Sequence, residues 1–199
     1  MSIFKNTKYL VIDTETTGLN TSKCGLIQVG AIVLDNQLKP VESYIQDVNP
    51  GVDIEVDPEA LEVNGFSLDR IQKGITYEIF CKDFLTFLHK YFGYNKAILV
   101  GQFLPFDYSF LWKVFDQCNL NSELVRYIGN DFIDTKSIVN TMNLQAQLKG
   151  IPKPFPITSL SKVGGLKDTL GINQDDFTAH DALGDCLATR EVLIRLLKL

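Results

Sequence analysis

Asp13 and Glu15 stand two residues apart at the end of an apolar run, in the stretch YLVIDTETTGL from Tyr9 to Leu19. In an extended strand, residues two apart point to the same face, ~7 Å from each other at the backbone. Two carboxylates so placed repel each other, and a core strand tolerates that only if something offsets the cost. A bound cation does so. Magnesium prefers oxygen ligands and takes one or two carboxylates beside water and substrate phosphate. A strand that simply ends at a polar turn, made by the threonines and Gly18, is the plainer reading. The stretch alone leaves both open.

Two further segments carry acids in comparable places. In GQFLPFDYSFLWKVF, Asp107 falls in the first turn of an expected helix, where an acid complements the helix dipole. It also continues the apolar stripe of Leu111, Val114 and Cys118, which puts it at the edge of the core. In AHDALGDCLATREVL, Asp181 reads as an N-cap, with His180 just before the helix and Asp185 just inside it. Asp185 shares a stripe with Ala188, Val192 and Leu196 and is expected to face inward. By itself a histidine in the place of His180 is more often a local hydrogen-bonding residue than a catalyst. The other histidine, His89, falls in the polar tail of an expected helix and reads as a surface residue.

The elements that must position these groups follow from periodicity and punctuation. Strands are expected at 9–13, 26–34, 41–48, 97–101 and 132–135. Helices are expected from Asp57-Pro58 to Asn64-Gly65, over 77–92, 105–118 and 137–148, from 158–159 toward 170, and from Asp181 nearly to the end of the chain. GIPKPFPIT reads as an extended loop. Three early strands followed by alternating helices and strands give an α/β chain, a mixed β-sheet flanked by α-helices, read as one domain over residues 1–199. In such sheets strand ends gather at one edge, where ligands bind. Four acids converging there without metal would be intolerable. With two divalent ions ~4 Å apart they form a clamp for phosphoryl transfer.

Composition narrows the partners. The formal net charge is −5, so charge alone does not coat long nucleic acid with this chain. Metal ions can still supply local positive charge for a strand end. Four scattered cysteines without CxxC or zinc-like spacing read as reduced, mostly buried thiols of an intracellular protein. MSIFKNTKYL holds no long apolar stretch, and apolar runs are short throughout, so neither a leader nor a membrane span is expected and a cytoplasmic location is.

Together these residues resemble the DnaQ-like DEDDh 3′→5′ exonucleases, the superfamily of the polymerase III epsilon subunit, RNase T and oligoribonuclease, with an RNase H-like fold. DTETTG matches the family's first motif, PFDYSFL supplies the second and HDALGDCLAT the third. NPGVDIEVDPEALEVNGFS and IDTKSI, with Asp134-Thr135, are similar to connecting segments of the family. One departure stands out: Gln102 and Phe103 occupy positions where members often carry His-Asn.

The resemblance implies two Mg2+ or Mn2+ ions. Asp13, Glu15 and Asp185 would hold the first, and Asp13 with Asp107, partly through water, the second. His180 would be the general base. Backbone N–H groups around Thr16, Thr17, Gly18 and Leu19 would bind the terminal nucleotide, with Leu19 and Phe106 packing on bases. The expected substrates are single-stranded 3′ ends, DNA first in a proofreading or repair-like role. RNA 3′-end trimming or short-oligonucleotide degradation is the alternative, and a DNA polymerase is the protein partner to consider. A non-catalytic nucleic-acid-binding or polymerase-accessory module is the competing class, supported only by Gln102-Phe103.

Overall fold

The computed structural model describes residues 7–173 and 181–199. Its strands are β1 (Thr7–Thr16), β2 (Leu26–Asp35), β3 (Pro40–Asn49), β4 (Ile75–Thr76), β5 (Ala97–Gly101) and β6 (Ile128–Asp134). They form one mixed sheet in the order β4-β3-β2-β1-β5-β6. β1 pairs antiparallel with β2 and parallel with β5, which pairs parallel with β6. The strand carrying Asp13 and Glu15 therefore lies inside the sheet, where both faces are covered.

The helices are α1 (Pro58–Asn64), α2 (Leu68–Lys73), α3 (Tyr77–Phe92), α4 (Leu104–Gln117), α5 (Asn121–Tyr127), α6 (Thr135–Leu148), α7 (Leu166–Thr169) and α8 (Ala182–Leu196). Side-chain alternation along β1 sorts them onto two faces. Leu10 and Ile12 join Phe80, Phe84, Phe110 and Phe115 of α3 and α4 in the largest apolar cluster. Val11, on the opposite face, packs with Ile32, Val100, and Cys186 and Leu193 of α8. A third cluster ties α6 to α8 through Val139, Ala188 and Val192.

Local signals act where the sequence put them. Asp57 caps α1 by accepting from the Glu59 N–H at 3.0 Å, with Pro58 in the first turn. Asp181 caps α8 by accepting from the Gly184 N–H at 3.3 Å. His89 is exposed, and Cys24, Cys81 and Cys186 are buried thiols while Cys118 is partly buried.

One expectation is corrected. The helix expected from 158–159 toward 170 is confined to the single turn of α7. Gly164 takes a left-handed φ of +73°, and a Cβ at Gly165 would lie 2.4 Å from the Ser159 carbonyl oxygen. The chain turns on this glycine pair, and Ser159 accepts instead from the Leu166 N–H at 2.8 Å. α2, β4 and α5 were not expected. They are short elements whose stability comes from tertiary packing rather than from a periodic pattern of their own. β6 begins four residues earlier than expected, at Ile128.

Candidate active site

The end of β1 and the first turn of α8 bring three acids together. Asp13, Glu15 and Asp185 each offer a carboxylate oxygen within 4.8 Å of the others. Asp13 and Glu15 share the β1 face toward α8, as the two-residue spacing requires. Asp185 projects from the α8 stripe, with Ala188 and Val192 buried on the same side.

Asp107 approaches from the other side of the sheet. Its Oδ1 accepts from both the backbone N–H of Thr14, at 2.9 Å, and the Thr14 hydroxyl, at 2.7 Å. The threonine between the two acids is thus the residue that fixes the fourth. Asp107 is buried, at 4% exposure, and its charge acts on Asp13 more strongly than that of any other acid. It does not belong to the three-oxygen cluster itself. His180 lies outside the described residues.

A glycine and a glutamine position the helix that carries Asp185. Gly30 of β2 pairs with Asp13, and a Cβ there would lie 2.3 Å from the carbonyl carbon of Ala182 and 2.6 Å from the Leu183 nitrogen. The first turn of α8 rests on bare strand backbone. Gln28, buried in β2, accepts the Ala182 N–H at 2.9 Å and donates to Asp47 at 2.7 Å. Arg70 of α2 holds Asp47 in turn, with a two-pronged contact of 2.6 and 2.9 Å. Lys167, almost fully buried, sits 3.6 Å from Asp185 and offsets part of the local negative charge.

Burial and mutual repulsion shape the electrostatics. Burial pushes the Asp13 carboxyl well above the ordinary carboxylate range, and Asp107, Asp185, Glu15 and Asp181 push it further. Glu15 is pushed up to about 8, by burial first and then by Asp185, Asp107 and Asp181, with Arg70 pulling the other way. Asp107 is raised by burial to about 7, against its hydrogen bonds from Thr14. Such groups hold protons in the folded state that the unfolded chain has released. Stability is full below the unfolded carboxylate range, near pH 4, and is lost as pH rises through about 7 to 8. In EDTA the melting temperature is expected to fall by several degrees between pH 5.5 and pH 8.5, and Mn2+ is expected to flatten that slope. A melting temperature independent of pH in EDTA would count against the cluster. An all-oxygen, strongly repelling donor set fits a hard divalent cation.

Two recesses flank the acids. One, of about 570 Å³, is lined by Asp13, Asp185, Gln102, Phe103 and Lys136 together with residues 158–162. The other, of about 300 Å³, includes Glu15, Thr16, Gly18, Leu19, Asn64 and Phe106. Leu19 is strongly exposed there, and Phe106 is braced on Phe110 at 5.1 Å between ring centres. Thr16 and Thr17 are committed internally. The Thr16 hydroxyl donates to Gly18 O at 2.9 Å and the Thr17 hydroxyl to Glu55 O at 2.6 Å. The Thr17 N–H is taken by Gly25 O at 2.8 Å, so this donor does not face a nucleotide as expected.

Sequence reading missed Thr14, Gln28, Gly30 and Lys167. Two of these left a signal: a glutamine and a glycine inside the apolar strand LIQVGAIVLD mark a polar tie and a close backbone approach. Thr14 and Lys167 left none.

The RNase T exonuclease family model matches residues 10–193. Ribonuclease T of Escherichia coli strain K12 is 32% identical over 190 residues, covering 88% of this chain and 78% of that protein. The DNA polymerase III epsilon subunit of Haemophilus influenzae is 26% identical over 195 residues, covering 95% of this chain and 67% of that one. A PolC-type DNA polymerase III of Thermotoga petrophila is 25% identical, and this chain spans only 12% of its length. Among solved structures, product-bound exonuclease I superposes with a TM-score of 0.74 at 17% identity, over 98% of this chain and 44% of that one. Escherichia coli exonuclease I bound to a dT13 oligonucleotide gives 0.72 at 20% identity, over 98% and 41%. These structures share the RNase H-like, DnaQ-type fold, and no helix among the described residues is long and apolar enough to cross a membrane. With a family match from Leu10 to Leu193, and with Asp13, Glu15 and Asp185 gathered where the end of β1 meets α8, the chain belongs to the exonuclease family of the DnaQ-like superfamily.

Proposed function

We propose that this chain is a divalent-metal-dependent 3′→5′ exonuclease that releases nucleoside monophosphates from single-stranded ends. The observation that carries this reading is the convergence of Asp13, Glu15 and Asp185 from two distant segments, with Asp107 pinned beside them by Thr14. Asp13, Glu15 and Asp185 would hold one Mg2+ or Mn2+, and Asp13 with Asp107 a second. Bound there, the ions supply Lewis-acid stabilisation of phosphate charge and a nucleophilic water at neutral pH.

The chain's own groups do the rest. Thr14 fixes one oxygen of Asp107 through its backbone N–H and its hydroxyl. Gln28 and Gly30 hold the first turn of α8, and so Asp185, against β1. His180, next to the Asp181 cap, takes the proton of the attacking water. Water adds to phosphorus, the bond from phosphorus to the upstream 3′ oxygen breaks, and the freed nucleotide keeps its 5′ phosphate. The recess beside Glu15, with Leu19 and Phe106, takes the terminal nucleoside by stacking and apolar contact, which any base satisfies.

DNA ends are the first substrate of this reading, and a polymerase partner goes with it through the epsilon relative. The higher identity to ribonuclease T favours RNA 3′ ends as the second reading. Matched DNA and RNA oligonucleotides of several lengths, labelled at either end, distinguish these. With Mg2+ or Mn2+, the 5′-labelled strand is expected to shorten as a ladder while the 3′-labelled strand gives labelled mononucleotide first. Activity that persists in EDTA, or mononucleotide released first from the 5′ end, would refute the reading.

A further inference from the structure

Phe103 is in the left-handed region, with φ 64° and ψ 45°, although it is neither glycine nor asparagine. A bulky residue there is a strained outlier that its surroundings must enforce. Asp134 enforces it: Oδ1 accepts from the Phe103 N–H at 2.6 Å and the Leu104 N–H at 3.2 Å, while Oδ2 caps α6 at Ser137. The strain is not relieved by burial, because Phe103 is 48% exposed. It stands on the wall of the recess that Asp13 and Asp185 share. The Lys136 ammonium lies 4.0 Å above its centre.

An aromatic held out toward solvent in a costly backbone state, beside a cation and next to acids, has the chemistry of a stacking platform with a phosphate contact. We infer that Phe103 and Lys136 form a subsite for a nucleotide upstream of the scissile phosphate, Phe103 stacking on its base and Lys136 meeting its backbone phosphate. The recess beside Glu15 is a separate one, lined by neither Asp13 nor Asp185, and is left to the terminal nucleoside. The subsite rests on the exonuclease reading of this cleft. It also gives Phe103 a role that an amide at the same position would not have.

The test is a binding cycle read by fluorescence anisotropy, with a 5′-labelled single-stranded DNA carrying a phosphorothioate at its last linkage. One abasic residue is stepped through the last four positions. Phe103→Asn is the informative variant, because asparagine accepts the left-handed conformation and the variant is expected to melt no lower than wild type. Wild type is expected to lose about 5- to 150-fold in affinity at one abasic position, the range of one stacked base. Phe103→Asn should bind the intact strand weaker by the same factor and no longer distinguish the abasic one. Lys136→Met should lower the slope of log affinity against log salt by about 1. An unchanged abasic penalty in Phe103→Asn overturns the subsite. Binding by wild type, with no hydrolysis of the matching unmodified strand in Mg2+ or Mn2+, refutes the exonuclease reading while the cycle still decides the subsite. No binding of single strands by wild type overturns both.

Discussion

Asp13→Asn is expected to lower nucleotide release by ~10³-fold or more, about 4 kcal/mol of transition-state stabilisation, while leaving the metal-free protein at least as stable as wild type. The two halves of this result have one cause. Asp13 is repelled by Asp107, Asp185, Glu15 and Asp181, and burial raises it further. The folded chain without metal therefore carries Asp13 at a cost. Asparagine keeps the shape and removes the charge, which relieves the apo state and deprives a cation of a central ligand. Thermal melting in EDTA and a single-strand hydrolysis assay on the same preparation check both halves. A melting temperature several degrees below wild type would mean that Asp13 is a structural acid.

Gly30→Ala is expected to do the opposite to stability and the same to activity. The new Cβ would meet the Ala182 carbonyl at 2.3 Å and the Leu183 nitrogen at 2.6 Å. Both are backbone atoms of a helix start and cannot rotate away. α8 must move off β2 or the strand must bend, at a cost of about 1–3 kcal/mol or more, roughly 2–12 °C in melting temperature for a chain of this size. Because Asp185 rides on that turn, opposite Asp13, a displacement near 1 Å is also expected to cost on the order of 10²-fold in rate. Melting curves and kcat/KM for the purified variant measure this. A variant with unchanged stability and rate would show that α8 is not seated by Gly30.

What the sequence made legible was whatever local chemistry dictates. The alternation of DTE, the cap at Asp181 and the stripe from Asp185 to Leu196 each announce a face, and those faces meet as expected. The helix expected after residue 158 does not form because Gly164 and Gly165 fold the backbone against Ser159, which overrides the local cap signal of the serine. The support of the site was harder to read. Thr14, which looks like a spacer, holds Asp107 across a separation of 93 residues. Lys167 looks like a surface lysine of GLKDTLG and is instead buried against Asp185. Such pairings depend on how two sheet faces are covered, and no spacing within one segment encodes them. Phe103 was visible as a departure from the family's His-Asn, but its strained backbone and the lysine above it belong to the fold alone.

The most direct measurement is a calorimetric titration of Mn2+ into the wild-type chain and into Asp13→Asn, both first stripped with EDTA. If Asp13, Glu15 and Asp185 hold the cation, wild type binds Mn2+ and the variant binds at least tenfold more weakly, a difference of about 1.4 kcal/mol or more. Equal affinity in the two proteins, or no binding to wild type, would contradict a metal centre at these carboxylates.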